Sequence, residues 1–438
     1  MRSENILSLE INKEKILTTI KILWLMYIIF PFRIIGIDVF QRIIYYGISG
    51  ILFVIFLRRL VKYRINTDYL RNFLFSFLIL ICLTLMAYTV PVEKNTFDFS
   101  YYSSFLYYWV RVFMLVSTIP LFRNALEYAK AFIKAVNLYI LFSLVLLIPR
   151  IHTWYQGIVI DNANATTVMN EALSRGFEVN QSSYTRFGLQ GFSGFECTIL
   201  CSIAVLFCCY FIINSLHNNE SIKGLFIELC FSLIGNALYG RSGLMISILI
   251  VVVTVVYAAI IYQKVDLLFK FGVIIVAMYF YILFNENTLK QNDSISWMLE
   301  GVFNFIDNGK FSTESSDMLK MMYIHPSVQT FLSGDGYYMV SGHFYMMTDV
   351  GYLRPLLFWG IFGTILYYSL LLPSLSSIEK NFEKIDKFFV LLTTLILIVG
   401  FEIKGEAALL IFTIFLPITG IGLLCYNRPL KRVYNVVK

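Results

Sequence analysis

Continuous apolar runs recur along almost the whole chain. At about twenty residues each, they have the length one helix needs to cross the hydrocarbon of a bilayer. They fall at 16–32, 43–57, 72–90, 104–122, 131–149, 198–216, 222–239, 243–262, 266–284, 355–375, 386–404 and 407–426. A β-barrel would show alternating segments of about ten residues instead, so the spans read as helical. Of 438 residues 58% are hydrophobic and only 14% charged, a balance foreign to a soluble chain of this length. The expectation is an all-α polytopic membrane protein, one integral membrane domain over 1–438 with about twelve transmembrane helices.

The seven cysteines lie nearly all inside apolar runs, which points away from a disulfide framework or a thiolate metal site. The stretch before residue 15 is polar, and no small-residue cleavage site follows the first apolar run. That run therefore reads as a retained span, not a signal peptide. An even span number puts both termini on one side. With the amino terminus in the cytoplasm, residues such as Arg58, Arg59, Lys62, Arg71, Arg123 and Lys130 collect inside, several times denser than on the opposite side. The net charge of +7 then follows from topology, and a nucleic-acid partner has no support.

Two long segments, 150–197 and 285–354, fall on the extracytoplasmic side, so chemistry is expected there. Within the second, residues 294–307 carry Ile295, Met298, Leu299, Val302, Phe303 and Ile306 at helical spacing, an amphipathic helix for the interface. A second short helix is expected after Ser315 and Ser316, whose hydroxyls suit a cap. No internal repeat is evident, so the usual secondary-transporter signature is missing.

Ionisable groups at membrane depth are costly, and here most sit at outer span ends. Glu196 precedes the sixth span, Arg241 lies in the reversal between the seventh and eighth, and Arg354 opens the tenth. Glu402, Lys404 and Glu406 mark the turn between the last two, with helix-end pairing of Lys404 to the glutamates as the expectation. Arg186 and Asp349 lie in the long loops near membrane entry points. Arg111 lies roughly 10 Å below the outer edge of the fourth span and must face the bundle interior or a wet cavity. Cations converging at the outer leaflet suit a substrate with an anionic group at headgroup level, such as a lipid diphosphate, which guanidinium forks bind well.

Three stretches carry further information: RFGLQGFSGFECTIL at 186–200, GNALYGRSGLMISILI at 235–250, and LSGDGYYMVSGHFYMMTDVGYLRPLLFWGIFG at 332–363. Their order and spacing over 186–410 resemble the O-antigen polymerase and O-antigen ligase superfamily of bacterial surface-polysaccharide enzymes, and more closely its polymerase (Wzy-type) branch. The matching features are the Arg241-Ser242-Gly243 turn, the Gly334-Asp335-Gly336 turn, and Asp349, Gly351, Gly360 and Gly363. Asp349-Val350 stands where the ligase branch usually has a His-Asn pair, which favours polymerase over ligase.

The resemblance implies an enzyme of the bacterial cytoplasmic membrane that joins oligosaccharide repeats carried on polyprenyl diphosphate. Arg186, Arg241 and Lys404 are the candidates for the diphosphate, and Asp349, with His343 as the alternative, for the general base. Arg354, Arg111 and Glu196 complete the candidate substrate-binding set, with Tyr338 and Tyr345 as surfaces for sugar stacking. No cofactor is implied, and with no Asp-x-Asp pair in an outer loop a metal is not expected. A chain-length regulator is left open as a partner beside the lipid-linked glycans and membrane lipids. A ligase, or a flippase of lipid-linked sugars, is the competing reading; the two long outer loops favour an enzyme over a carrier.

Overall fold

The structure, a computed structural model, describes residues 2–62, 65–160, 186–382 and 385–425. Most of the first long loop, 161–185, lies outside the described residues. Elements run in the order α1 (Arg2–Ile29), α2 (Asp38–Lys62), α3 (Thr67–Glu93), α4 (Ser100–Ser117), α5 (Ala125–Leu146) and α6 (Pro149–Gln156). A hairpin of β1 (Phe187–Gly188) and β2 (Gly191–Phe192) precedes α7 (Phe195–His217), α8 (Lys223–Tyr239), α9 (Arg241–Ile261) and α10 (Val265–Phe284). The second long loop holds α11 (Glu286–Lys290), α12 (Asp293–Asn308), α13 (Glu314–Met321), α14 (Val328–Ser333) and a hairpin of β3 (Met339–Val340) and β4 (His343–Phe344). α15 (Leu353–Ser369), α16 (Leu372–Asn381), α17 (Lys387–Glu402) and α18 (Ala408–Cys425) complete the fold.

A helix runs through each of the twelve apolar windows. Among the described residues, seven helices are long and apolar enough to cross a membrane. The protein is thus a helical membrane protein, with two short hairpins as its named strands among those residues.

α7 is the shaft of the bundle. Every residue from Cys197 to Ile213 is buried, against α5, α8, α9 and α17. A helix apolar on all sides has no solvated face, which is why this one is enclosed by neighbours. Polar groups inside it are satisfied in kind. Ser202 donates to Asn236 Oδ1 at 3.1 Å, Asn236 donates to Ser247 Oγ at 2.8 Å, and Ser247 lies 2.9 Å from Ser202. This ring ties α7, α8 and α9 together where an unpaired amide would be expensive.

Glycines set the close approaches that aim the segments at one end of the bundle. Only Gly240 separates α8 from α9, and a Cβ there or at Gly243 would run into the Thr198 side chain on α7. A Cβ at Gly351 would strike the Gly405 carbonyl, and one at Gly405 would strike the Phe195 ring. α15 is broken at Gly360, whose φ of 72° lies in the left-handed region. The carbonyls of Leu357 and Phe358 there accept hydrogen bonds from Asp335 and Gly336 N–H at 2.7 and 3.2 Å. Gly334, at φ 66°, packs back to back with Gly360. Irregular backbone is thus tolerated because a returning loop supplies its partners.

The short loop helix starts two to three residues earlier than the sequence implies: Thr313, not Ser315 or Ser316, is the cap, exchanging bonds with Ser316 in a capping box.

Replacing Gly360 or Gly334 with alanine adds a methyl that meets backbone on the opposite strand of this interlock. A cost of about 1–3 kcal/mol is expected. Gly272→Ala, in open space on α10, should be neutral or mildly stabilising. Thermal unfolding in detergent, followed by circular dichroism, separates the two outcomes.

Candidate functional site

Four segments meet at one end of the bundle: 186–198 leading into α7, the α8–α9 turn, the turn at 349–354, and the turn at 402–406. Gly351 against Gly405, and Gly405 against Phe195, lock three of them together. Tyr352 N–H donates to the Glu402 carbonyl at 3.2 Å.

Arg186, Arg241 and Lys404 come together there. Both guanidinium groups face the Trp297 ring of α12, with Cζ atoms 4.6 and 4.7 Å from its centroid. Arg241 also donates to the Trp297 carbonyl at 3.0 Å and pairs with Glu300. Neither Arg186 nor Lys404 has a carboxylate partner within ion-pair distance among the described residues, and Arg186 Nε is buried without a hydrogen bond. Burial, with Arg241 adding repulsion, pulls the Arg186 guanidinium down to about 10. Burial pulls the Lys404 amine down to about 8, with Arg186 and Arg241 pushing the same way and Asp349 opposing. Like charges crowded into a poorly solvated mouth raise the free energy of the empty site, and a polyanion relieves it.

The expected pairing of Lys404 with Glu402 and Glu406 is not what the structure holds. Glu402 Oε1 accepts Ala407 and Ala408 N–H at 2.8 and 2.7 Å, and Oε2 accepts the Tyr368 hydroxyl at 2.7 Å. It works as a cap for α18, because two orphan amides at that helix start lie closer than the lysine. Glu406 accepts three tyrosine hydroxyls, from Tyr101 at 2.5 Å, Tyr367 at 2.7 Å and Tyr338 at 3.0 Å.

Asp349 is engaged with Arg354 at 3.1 Å. Arg354, its side chain 12% exposed, lies over the Phe344 ring at 3.4 Å and packs in a tight cluster with Tyr337, Tyr338, Tyr345 and Leu357. Tyr338 stacks on Tyr101 at 4.0 Å, and Tyr345 hydroxyl donates to Asp335 at 3.2 Å. Burial, then Asp335, raises the Tyr345 phenol. His343 stands on the β3–β4 hairpin beside Phe344. Arg111 and Glu196 form a separate pair at 3.0 Å, with Arg111 7% exposed, so Glu196 serves as its counter-charge.

Sequence reasoning overlooked three contributors. Trp297 and Glu300 were hidden in a helix read for its apolar face, although they lie one turn apart on its other side. Asp98 accepts Tyr338 and Met339 N–H at 2.6 and 2.7 Å and so anchors the second long loop to the start of α4. An acidic residue just ahead of Ser100 at a helix start was the available signal.

Comparison with protein families, with curated proteins and with solved structures finds no match.

Lys404 makes anion binding at this mouth depend on pH. Its charge is present below about 8 and lost above, so its contribution to holding a polyanion fades as pH rises through that value. Lys404→Arg keeps the charge. The affinity for inorganic pyrophosphate, as the ratio of wild type to Lys404→Arg, should therefore fall several-fold between about pH 7 and about pH 9. Calorimetry on the detergent-solubilised protein reads this, and a flat ratio would remove Lys404 from the site.

Proposed function

We propose that the chain is a membrane glycosyltransferase of the polysaccharide-polymerase type, with about twelve spans and both termini in the cytoplasm of a bacterium. It joins oligosaccharide repeats carried on polyprenyl diphosphate at the outer face of the cytoplasmic membrane. One observation carries the reading. Three cations from three separate segments share one mouth, two of them without a carboxylate partner among the described residues, beside a tight cluster of tyrosines around the largely buried Arg354. Such a mouth suits a diphosphate next to a sugar.

In the proposed reaction an acceptor hydroxyl attacks the anomeric carbon of the donor glycan. The bond from that carbon to the diphosphate oxygen breaks, and polyprenyl diphosphate departs with the electron pair. Arg186, Arg241 and Lys404 neutralise the charge that develops on the departing oxygens. The hydroxyl proton passes to Asp349, near both Arg354 and Lys404, or to His343. Arg354, Tyr338 and Tyr345 line the sugar side, while Arg111 and Glu196 support the floor beneath the start of α7.

A deletion strain examined by glycan ladder tests this. A polymerase predicts collapse to a single repeat. Long chains persisting on the carrier lipid mean a ligase, and repeats trapped on the cytoplasmic face mean a flippase. Arg241→Ala should lower polymer formation at least about a hundredfold with protein level unchanged. Full-length polymer from this variant would overturn the site.

A further inference from the structure

We propose that α12 is a lid over the cation cluster, its Glu300 and Trp297 standing where the ligand's anionic group sits until that ligand displaces them. The inference rests on reading the cluster as a diphosphate site and adds how that site is closed and opened.

Glu300 is a carboxylate of the second long loop that reaches into the cluster, and it pairs with Arg241. Trp297, one turn earlier on the same face, presents its ring to both Arg186 and Arg241 and its carbonyl to Arg241. Together they cover two of the three cations. One carboxylate neutralises one charge, whereas a diphosphate carries several and has oxygens enough to engage Arg186, Arg241 and Lys404 at once. The internal anion is therefore the weaker occupant and can be outcompeted.

The helix is built to move as a piece. Two of its further polar ties are local: Lys290 pairs with Asp307 at 2.8 Å, and Asn304 donates to the Ser312 carbonyl at 2.8 Å. Those partners lie within 286–313 and travel with it. It is bounded by the Asn292 cap on one side and by Gly309, at φ 66°, on the other. Ile295, Met298, Leu299, Val302 and Ile306 form a half-buried apolar stripe, the kind of face by which a helix lies in a membrane interface and shifts along it. Opening then exchanges an ion pair and a cation–ring contact for contacts with the ligand.

The test uses the full-length protein in lipid nanodiscs with inorganic pyrophosphate as the probe, read by calorimetry and by tryptophan fluorescence. Glu300→Gln removes the competing charge at nearly constant size and should bind pyrophosphate about tenfold more tightly than wild type. Glu300→Asp, which keeps the charge, should stay near wild type and covers the case in which the glutamine variant fails to fold. Pyrophosphate should change the emission of the wild type, and Trp297→Phe should abolish that change among the five tryptophans. If Glu300→Gln binds equally or more weakly while Arg186→Ala and Lys404→Ala still lose affinity, the lid is wrong and the anion site stands. If neither wild type nor Glu300→Gln binds pyrophosphate, the diphosphate reading falls and the lid with it.

Discussion

Holding three like charges side by side in a poorly solvated mouth is unfavourable, so something other than electrostatics must keep them there. Close backbone contact does it. Gly240 and Gly243 seat the Arg241 turn on Thr198, Gly351 seats the Asp349 turn on the Gly405 carbonyl, and Gly405 rests on Phe195. A side chain at any of these points would push one cation-bearing segment away from the others. Beneath them, the Ser202, Asn236 and Ser247 ring fixes α7, α8 and α9 in register.

Glu402 and Glu406 are kept apart from these cations by other partners. Glu402 is taken by the amides that open α18, and Glu406 by three phenols. Each is a set of short hydrogen bonds already in place, whereas reaching Lys404 would leave buried donors unsatisfied. Asp349 is drawn the other way, to Arg354. The result is a division of this end of the bundle into a cationic part and an aromatic part, with Asp349 near both. That division sets a cationic surface beside an aromatic one, with the second long loop reaching both.

The second long loop joins the two parts. Asp98 holds it at Tyr338 and Met339, the Gly334–Gly336 turn slots into the break at Gly360, and α12 reaches back to Arg186 and Arg241. The interlock explains the glycine at 360 in a span that would otherwise be a plain helix, whereas Gly363 makes room for the Trp359 side chain. Continuous helix there would leave Asp335 and Gly336 N–H without acceptors.

Much of the architecture was legible in the order of residues, because crossing a bilayer demands apolar length and each window of sufficient length became a helix. The positions of charges at span ends were legible for the same reason, since hydrocarbon excludes them. Arg186, Arg241 and Lys404 could be nominated from their places in the chain, but not their grouping, nor the turning away of Glu402 and Glu406. Trp297 and Glu300 were invisible as site residues, because one face of an amphipathic helix gives no hint of what the other will meet. Hydrophobicity acts on each segment separately and so can be read one segment at a time. Pairing of charges depends on which segments lie side by side, and only the packing of the folded chain decides that.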